Sequence, residues 1–251
     1  ENEAANAFVK AANKDTVLAN KLSYLSKAAG LFKKNKNYRS VIEVFSFYKS
    51  NINPDIPKYQ KLVFDKMGIS INQVLNDKLS HAQFLNHITR TVTNTDYLVF
   101  FDIDCIPTRK EWLPALLNDL LESKDSIVGA AQTANFDHFK ENIYVSPFFV
   151  GISTQYLKKL NYPDATHRYD GTTDDYDVWQ NITNIIISKG GHVKYWWPTH
   201  IEEEKWYLHH PQHNKFGLGT TYNDMIYHAF FSRTDSSERF VKKCKEVLDS
   251  L

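Results

Sequence analysis

Tyr97-Leu98-Val99-Phe100-Phe101-Asp102-Ile103-Asp104-Cys105-Ile106-Pro107 is the stretch that decides the fold. Its first five residues are all apolar or aromatic, the mark of a short strand buried on both faces. The run breaks at Asp102-Ile103-Asp104 and then meets Pro107, which cannot continue a central ladder. Side chains alternate along a strand, so Asp102 and Asp104 share one side and Ile103 takes the other. Two carboxylates together at the end of a buried strand are costly unless a cation sits between them. Oxygen ligands suit Mg²⁺ or Mn²⁺, and such ions usually hold substrate phosphates as well. In open α/β sheets, ligands bind outside the carboxyl ends of the strands. The plainer alternative has both acids capping a helix or lining a loop.

Outward from this strand the chain alternates strand and helix patterns. Ser40–Tyr48 is rich in β-branched and aromatic residues and reads as the first strand. Lys58–Met67 reads as a helix and Gly68–Val74 as a short strand. Ser80 is an N-cap for a helix over His81–Val92, with Phe84, Leu85 and Ile88 on one face. His81, at its start, has the alternatives of facing a ligand or being a plain surface histidine.

Beyond Pro107, Lys110–Ser123 is amphipathic. Ser126–Gln132 is a strand whose Gly129, Ala130 and Ala131 admit a close backbone or ligand. Ile143–Ile152 is a further strand, leading into a short helix over Thr154–Leu160. Gly171-Thr-Thr-Asp-Asp-Tyr-Asp-Val-Trp-Gln180 is an acidic cluster before a helical run, a Gly pair and the strand His192–Trp197. Acids in a first helical turn are also favoured by the dipole without any chemistry. His200, His209, His210, His213 and His228 crowd the segment Thr199–Arg233 in no clean zinc spacing. Ser237–Leu251 closes the chain as a surface helix.

The order of these features resembles the GT-A nucleotide-sugar glycosyltransferases over roughly residues 38 to 233. The resemblance implies an α/β fold, a mixed and mostly parallel sheet with flanking helices. The apolar spacing of Ala4–Asn13 and Thr16–Phe32 reads as helical and makes residues 1–37 an N-terminal appendage, and the resemblance makes 38–251 a glycosyltransferase domain. It implies that Asp102 and Asp104 form a DxD motif holding Mn²⁺ or Mg²⁺ on the donor diphosphate, with His228 as third ligand and His210 as alternate. Phe47, Tyr48 and Asn51 are implied to contact the nucleotide, a UDP-sugar by preference, and Arg233 to neutralise the leaving diphosphate. Asp174, Asp175 and Asp177 stand where many inverting members carry Glu-Asp-x-Asp. That places Asp175 as general base, with Asp174 and Asp170 as spare candidates. The departures are Asp174 for the usual Glu, and the lack of both Gln-x-x-Arg-Trp and a Lys-Pro-Trp ending.

The bulk properties agree with an ordinary globular chain. Of 251 residues, 42% are hydrophobic and 24% charged, and the net charge of +1 gives no bias towards nucleic acid or membrane. Residues 1 to 40 are locally basic, which reads as a solvated helix face, an oligomer contact or an anionic-partner surface. Cys105 and Cys244 are far apart and fit no metal spacing, so a reducing, cytoplasmic setting is expected. No apolar run is long enough to span a membrane, and no signal peptide is visible at the start. The acceptor class stays open among glycan, protein, lipid and nucleic acid. Two other classes compete. One is another Asp-x-Asp metal enzyme, a nucleotidyltransferase or phosphoryl hydrolase; an Asp-x-Asp-x-Thr phosphatase motif fails at Ile106. The other is a non-catalytic glycan or nucleic-acid binding module.

Overall fold

The computed structural model describes residues 40–134, 142–171, 175–234 and 236–251. The expected N-terminal appendage (1–37) lies outside them. In chain order the elements are β1 (Ser40–Tyr48), α1 (Asp55–Lys66), β2 (Ile71–Leu75), α2 (His81–Thr91), β3 (Thr95–Asp102), β4 (Cys105–Pro107), α3 (Trp112–Leu121) and β5 (Ser126–Thr133). They continue with β6 (Ile143–Ser153), α4 (Thr154–Lys159), α5 (Gln180–Ser188), β7 (His192–Trp196), β8 (Pro198–Tyr207), β9 (Lys215–Tyr222), β10 (Ile226–His228) and α6 (Ser237–Ser250). The mixed α/β class expected from the sequence is what the chain forms.

The main sheet has the order β2-β1-β3-β6-β5-β7. β1 is parallel to β2 and β3, and β7 is parallel to β5; β6 runs against both β3 and β5. The carboxyl ends of β1, β2, β3, β5 and β7 therefore share one edge. Leu98, Val99, Phe100 and Phe101 of β3 are all buried, as a strand covered on both faces demands. Helix α2 is set by a capping box: the Ser80 side chain accepts from the Gln83 N–H, and the Gln83 side chain accepts from the Ser80 N–H.

β6 carries Pro147 inside a central strand, where a missing N–H would break the ladder. A register shift resolves this: Gly129 pairs with Val150 but Ala131 pairs with Val145, so β6 bulges relative to β5 over residues 146–149 while Phe149 still pairs with Phe101 of β3. Gly129 makes the bulge possible, because an added Cβ would stand 2.3 Å from the Phe149 carbonyl oxygen.

The second sheet, order β4-β10-β9-β8, is antiparallel throughout. The hydrophobic pattern marks no strands between residues 199 and 233. β8 has alternation blurred by Glu202, Glu203, Glu204 and Lys205, which lie exposed on an edge strand. The β9–β10 turn uses Asn223 (φ 49°) and Asp224 (φ 56°), the left-handed pair that suits a tight hairpin.

The turn between β3 and β4 is clamped from behind. Buried Gln60 donates through Nε2 to the carbonyls of Asp102 (2.7 Å) and Cys105 (2.9 Å), and accepts at Oε1 from Gln73 (2.9 Å). Ile103 points away from the acids into a cluster with Ile56, Val63, Tyr227 and Phe240, which joins α1, β10 and α6. Among the described residues no helix is long and apolar enough to cross a membrane.

Two substitutions test this scaffold. Gly129→Ala forces β6 to move and costs about 1–3 kcal/mol, read as a lower urea midpoint with unchanged m. Gln60→Leu strands two carbonyls and is expected to cost about 1–3 kcal/mol in the same assay.

Candidate metal and nucleotide site

Asp102, Asp104 and His228 come together at the carboxyl end of β3, with one ligand atom of each lying within 4.8 Å of the others. β3 stops at Asp102, so a turn through residues 103 and 104, rather than continued strand alternation, brings the carboxylates side by side. His228 reaches them because β10 pairs with β4 in the register His228 to Cys105.

Asp104 is the buried member, its side chain 11% exposed against 32% for Asp102. Its Oδ1 lies 3.2 Å from His228 Nε2, while Oδ2 accepts the Ser232 hydroxyl at 2.7 Å and the Ser232 N–H at 3.4 Å. Burial by itself pushes this carboxyl up. The charge and hydrogen bond of His228, with the Ser232 hydroxyl, outweigh burial and bring it down to about 2. Asp104 is thus a carboxylate at neutral pH. The Cys105 thiol is driven the other way, well up, by burial and by the charges of Asp102 and Asp104, which suits a packing role.

His228 is held by aromatic faces. Phe148, from the β6 bulge, stacks at 4.1 Å between centroids, and Phe230 lies at 3.8 Å. Its Nδ1 has no hydrogen-bond partner among the described residues. Phe230 (φ 56°) and Phe231 (φ 48°) both sit in the left-handed region, a costly conformation for bulky residues. That reversal turns the Ser232 N–H and hydroxyl back onto Asp104.

Asp102 faces solvent and a second imidazole: His81 Nε2 lies 3.4 Å from its Oδ1. Phe47 pairs in register with Asp102, packs on Phe84 at 4.9 Å and lies nearly parallel to His81 at 6.1 Å. Tyr48 turns to the opposite face and packs against the Ile52–Ile56 cluster, while Asn51 is exposed in the following loop. Arg233 is exposed immediately after Ser232. His210 is elsewhere, packed on Trp197 at 4.2 Å.

The acidic cluster precedes α5 rather than forming its first turn, which begins at Gln180. Asp174 lies outside the described residues. Asp175 is 2% exposed and accepts the backbone N–H groups of Asp170 (2.7 Å) and Gly171 (2.9 Å). Asp177 is half-buried; its Oδ2 accepts the Tyr144 hydroxyl at 3.2 Å and its Oδ1 the Val178 N–H at 2.8 Å. Burial, then the Asp177 charge and hydrogen bond, and in smaller part the Asp102 charge, push the Tyr144 phenol well up, so it stays a donor.

The donor set fits a hard divalent ion. Two carboxylates and one imidazole offer the O and N ligands that Mn²⁺ accepts and leave positions for water and phosphate. Sequence reasoning missed Ser232, Gln60, Tyr144 and the two phenylalanines. None of them carries a periodicity or spacing that marks it in the sequence.

No protein-family model and no curated protein sequence matches the chain. Among solved structures, a mannosyltransferase from Pyrobaculum calidifontis, in complex with GDP-Man and Mn²⁺, aligns at 12% identity over 77% of this chain and 66% of its own, TM-score 0.43. A197 from STIV aligns at 14% identity over 60% of this chain and 80% of its own, TM-score 0.38. A putative glucose-1-phosphate thymidylyltransferase from Bacillus anthracis aligns at 13% identity over 61% and 85%, TM-score 0.36. Likenesses at this level carry no functional argument, which rests on the site's own residues.

Ser232→Ala removes the hydroxyl that orients Asp104. Mn²⁺ affinity by calorimetry is expected to fall about 10- to 100-fold, the usual size for a lost partner of a metal ligand.

Proposed function

We propose that this chain is a glycosyltransferase that moves a sugar from a nucleoside-diphosphate donor to an acceptor hydroxyl. The observation that carries the reading is the convergence of Asp102, Asp104 and His228 at the carboxyl end of the central strand. Asp104 and His228, with Asp102, would hold Mn²⁺ or Mg²⁺. When bound, that ion supplies a Lewis acid for the departing diphosphate.

The remaining roles fall to residues around this group. Phe47, beside Asp102 and backed by Phe84, is suited to the nucleotide, as is the exposed Asn51 of the next loop. Tyr48 faces away and serves the α1 packing. Arg233, exposed directly after Ser232, is the candidate to meet leaving-group charge. A general base must reach the acceptor's proton. Asp175 is buried and closes the turn at Asp170 and Gly171, whereas Asp177 is half-buried and oriented by Tyr144, which also feels Asp102. We therefore assign the proton to Asp177 and the loop closure to Asp175. The acceptor oxygen attacks the anomeric carbon, the bond to the diphosphate breaks, and the configuration inverts.

The first test is a panel of UDP- and GDP-sugars with Mn²⁺, following released nucleoside diphosphate. Release with one donor, abolished by EDTA and by Asp104→Ala, is the expected result. Pyrophosphate release from a nucleoside triphosphate and sugar phosphate would instead make the chain a nucleotidyltransferase. Asp177→Asn is expected to lower kcat by about 10²- to 10⁴-fold. Asp175→Asn should mainly lower the melting temperature, through two weakened hydrogen bonds of about 1.5–3 kcal/mol each. A matching kcat loss in Asp175→Asn at unchanged melting temperature returns the base to Asp175, and retained anomeric configuration removes it from both.

A further inference from the structure

A second set of rings stands on the same edge of the main sheet. Trp197 directly follows β7, whose carboxyl end lies on the edge where β3 delivers Asp102. The β8–β9 hairpin folds back over it: His210 packs on the indole at 4.2 Å and His213 stacks at 5.2 Å with an interplanar angle of 9°. Tyr195 adds a further ring at 5.3 Å from Trp197. All four rings are only half-buried, and Tyr207 beside them is 65% exposed. Backbone ties fix the cluster to the sheet: Thr133 Oγ1 donates to the Tyr207 carbonyl, Tyr195 donates to the Ile143 carbonyl, and His213 Nδ1 lies 3.3 Å from the Pro198 carbonyl.

We infer that this cluster is a saccharide-binding platform that seats the acceptor. The apolar C–H face of a pyranose stacks on an indole, while its hydroxyls need donors and acceptors at the rim. The hydrogen bonds of His210 and His213 engage Nδ1 of each ring, and Nε2 is the nitrogen each would offer a sugar hydroxyl. A polyanion is disfavoured by charge. The four rings include no Lys or Arg, and the nearby cations Lys205, Lys215 and Arg239 are each paired with a glutamate of β8, which leaves them little free charge to offer phosphates. From β3 across β6 and β5 to β7 are three strand spacings, roughly 14 Å. A short oligosaccharide bridges that distance, its distal ring on Trp197 and its reactive hydroxyl within reach of Asp177, beside the group of Asp102, Asp104 and His228. The acceptor role rests on the transferase reading above; the place and the ligand class rest on the rings.

The test is calorimetry and tryptophan fluorescence with gluco-, manno- and galacto-oligosaccharides, in α and β linkages, with Mn²⁺ and nucleoside diphosphate present. One series is expected to bind the full chain. Trp197→Ala should weaken it about tenfold, the size of one lost stacking contact, and Trp197→Phe should keep most of the affinity. Circular dichroism melts of both variants separate lost binding from lost folding. No binding by any saccharide, or binding unchanged in a folded Trp197→Ala, overturns the platform. Turnover of a nucleotide-sugar without saccharide binding overturns the platform alone. Saccharide binding without turnover of any nucleotide-sugar leaves the platform standing and removes the transferase reading.

Discussion

Everything around the candidate site follows from keeping Asp104 ionised inside the protein. A carboxylate taken out of water is unstable unless its charge is answered at close range. Here the answer comes from the far end of the chain, through the His228 imidazole and the Ser232 hydroxyl. Those two groups lie on opposite sides of a backbone reversal at Phe230 and Phe231. The local strain of that reversal is set against the strength of a charge-assisted hydrogen bond. From the other side, Gln60 fixes the carbonyls of the turn that carries both acids. The acids are therefore positioned by the protein alone, as a metal site would require if binding is not to be weakened by ordering its own ligands.

The aromatic residues give the imidazole its orientation. A metal-binding histidine is usually steered by a hydrogen bond to its second nitrogen. The His228 ring has no such bond among the described residues, and the faces of Phe148 and Phe230 fix its orientation instead. Phe148 is available only because β6 bulges, and the bulge exists because Gly129 lets the Phe149 carbonyl approach. A glycine in the sheet and the pose of a histidine beyond its edge are thus one structural decision.

The hydrophobic pattern was enough to read the main sheet, because its buried strands are nearly continuous apolar runs with ends marked by Ser, Asp, Gly or Pro. The same holds for α2, where Ser80 and Gln83 announce the cap. The second sheet was not legible. β4 and β10 are three residues each, and the charges of β8 hide its alternation on an exposed edge. The acids of the candidate metal group were visible as a pair, since carboxylates ending a buried strand are conspicuous. Ser232, Gln60 and Tyr144 were not, because a lone Ser, Gln or Tyr has no periodicity or spacing to separate it from packing. The contrast between Asp175 and Asp177 was also out of reach: both look alike in sequence and differ only in burial and in what they bond.

The pairing of Asp104 with His228 spans 124 residues, and that of Asp104 with Ser232 spans 128. Contacts of such long range are entropically slow to close and are made late. A ribosome that has finished the main sheet has exposed both acids but has not yet supplied the imidazole or the hydroxyl that stabilise them. β10 and α6, which close over α1, follow the main sheet in chain order. Until they are made, the nascent chain holds the main sheet with both acids unanswered, and the stretch from β10 to α6 is what supplies Asp104 with its partners.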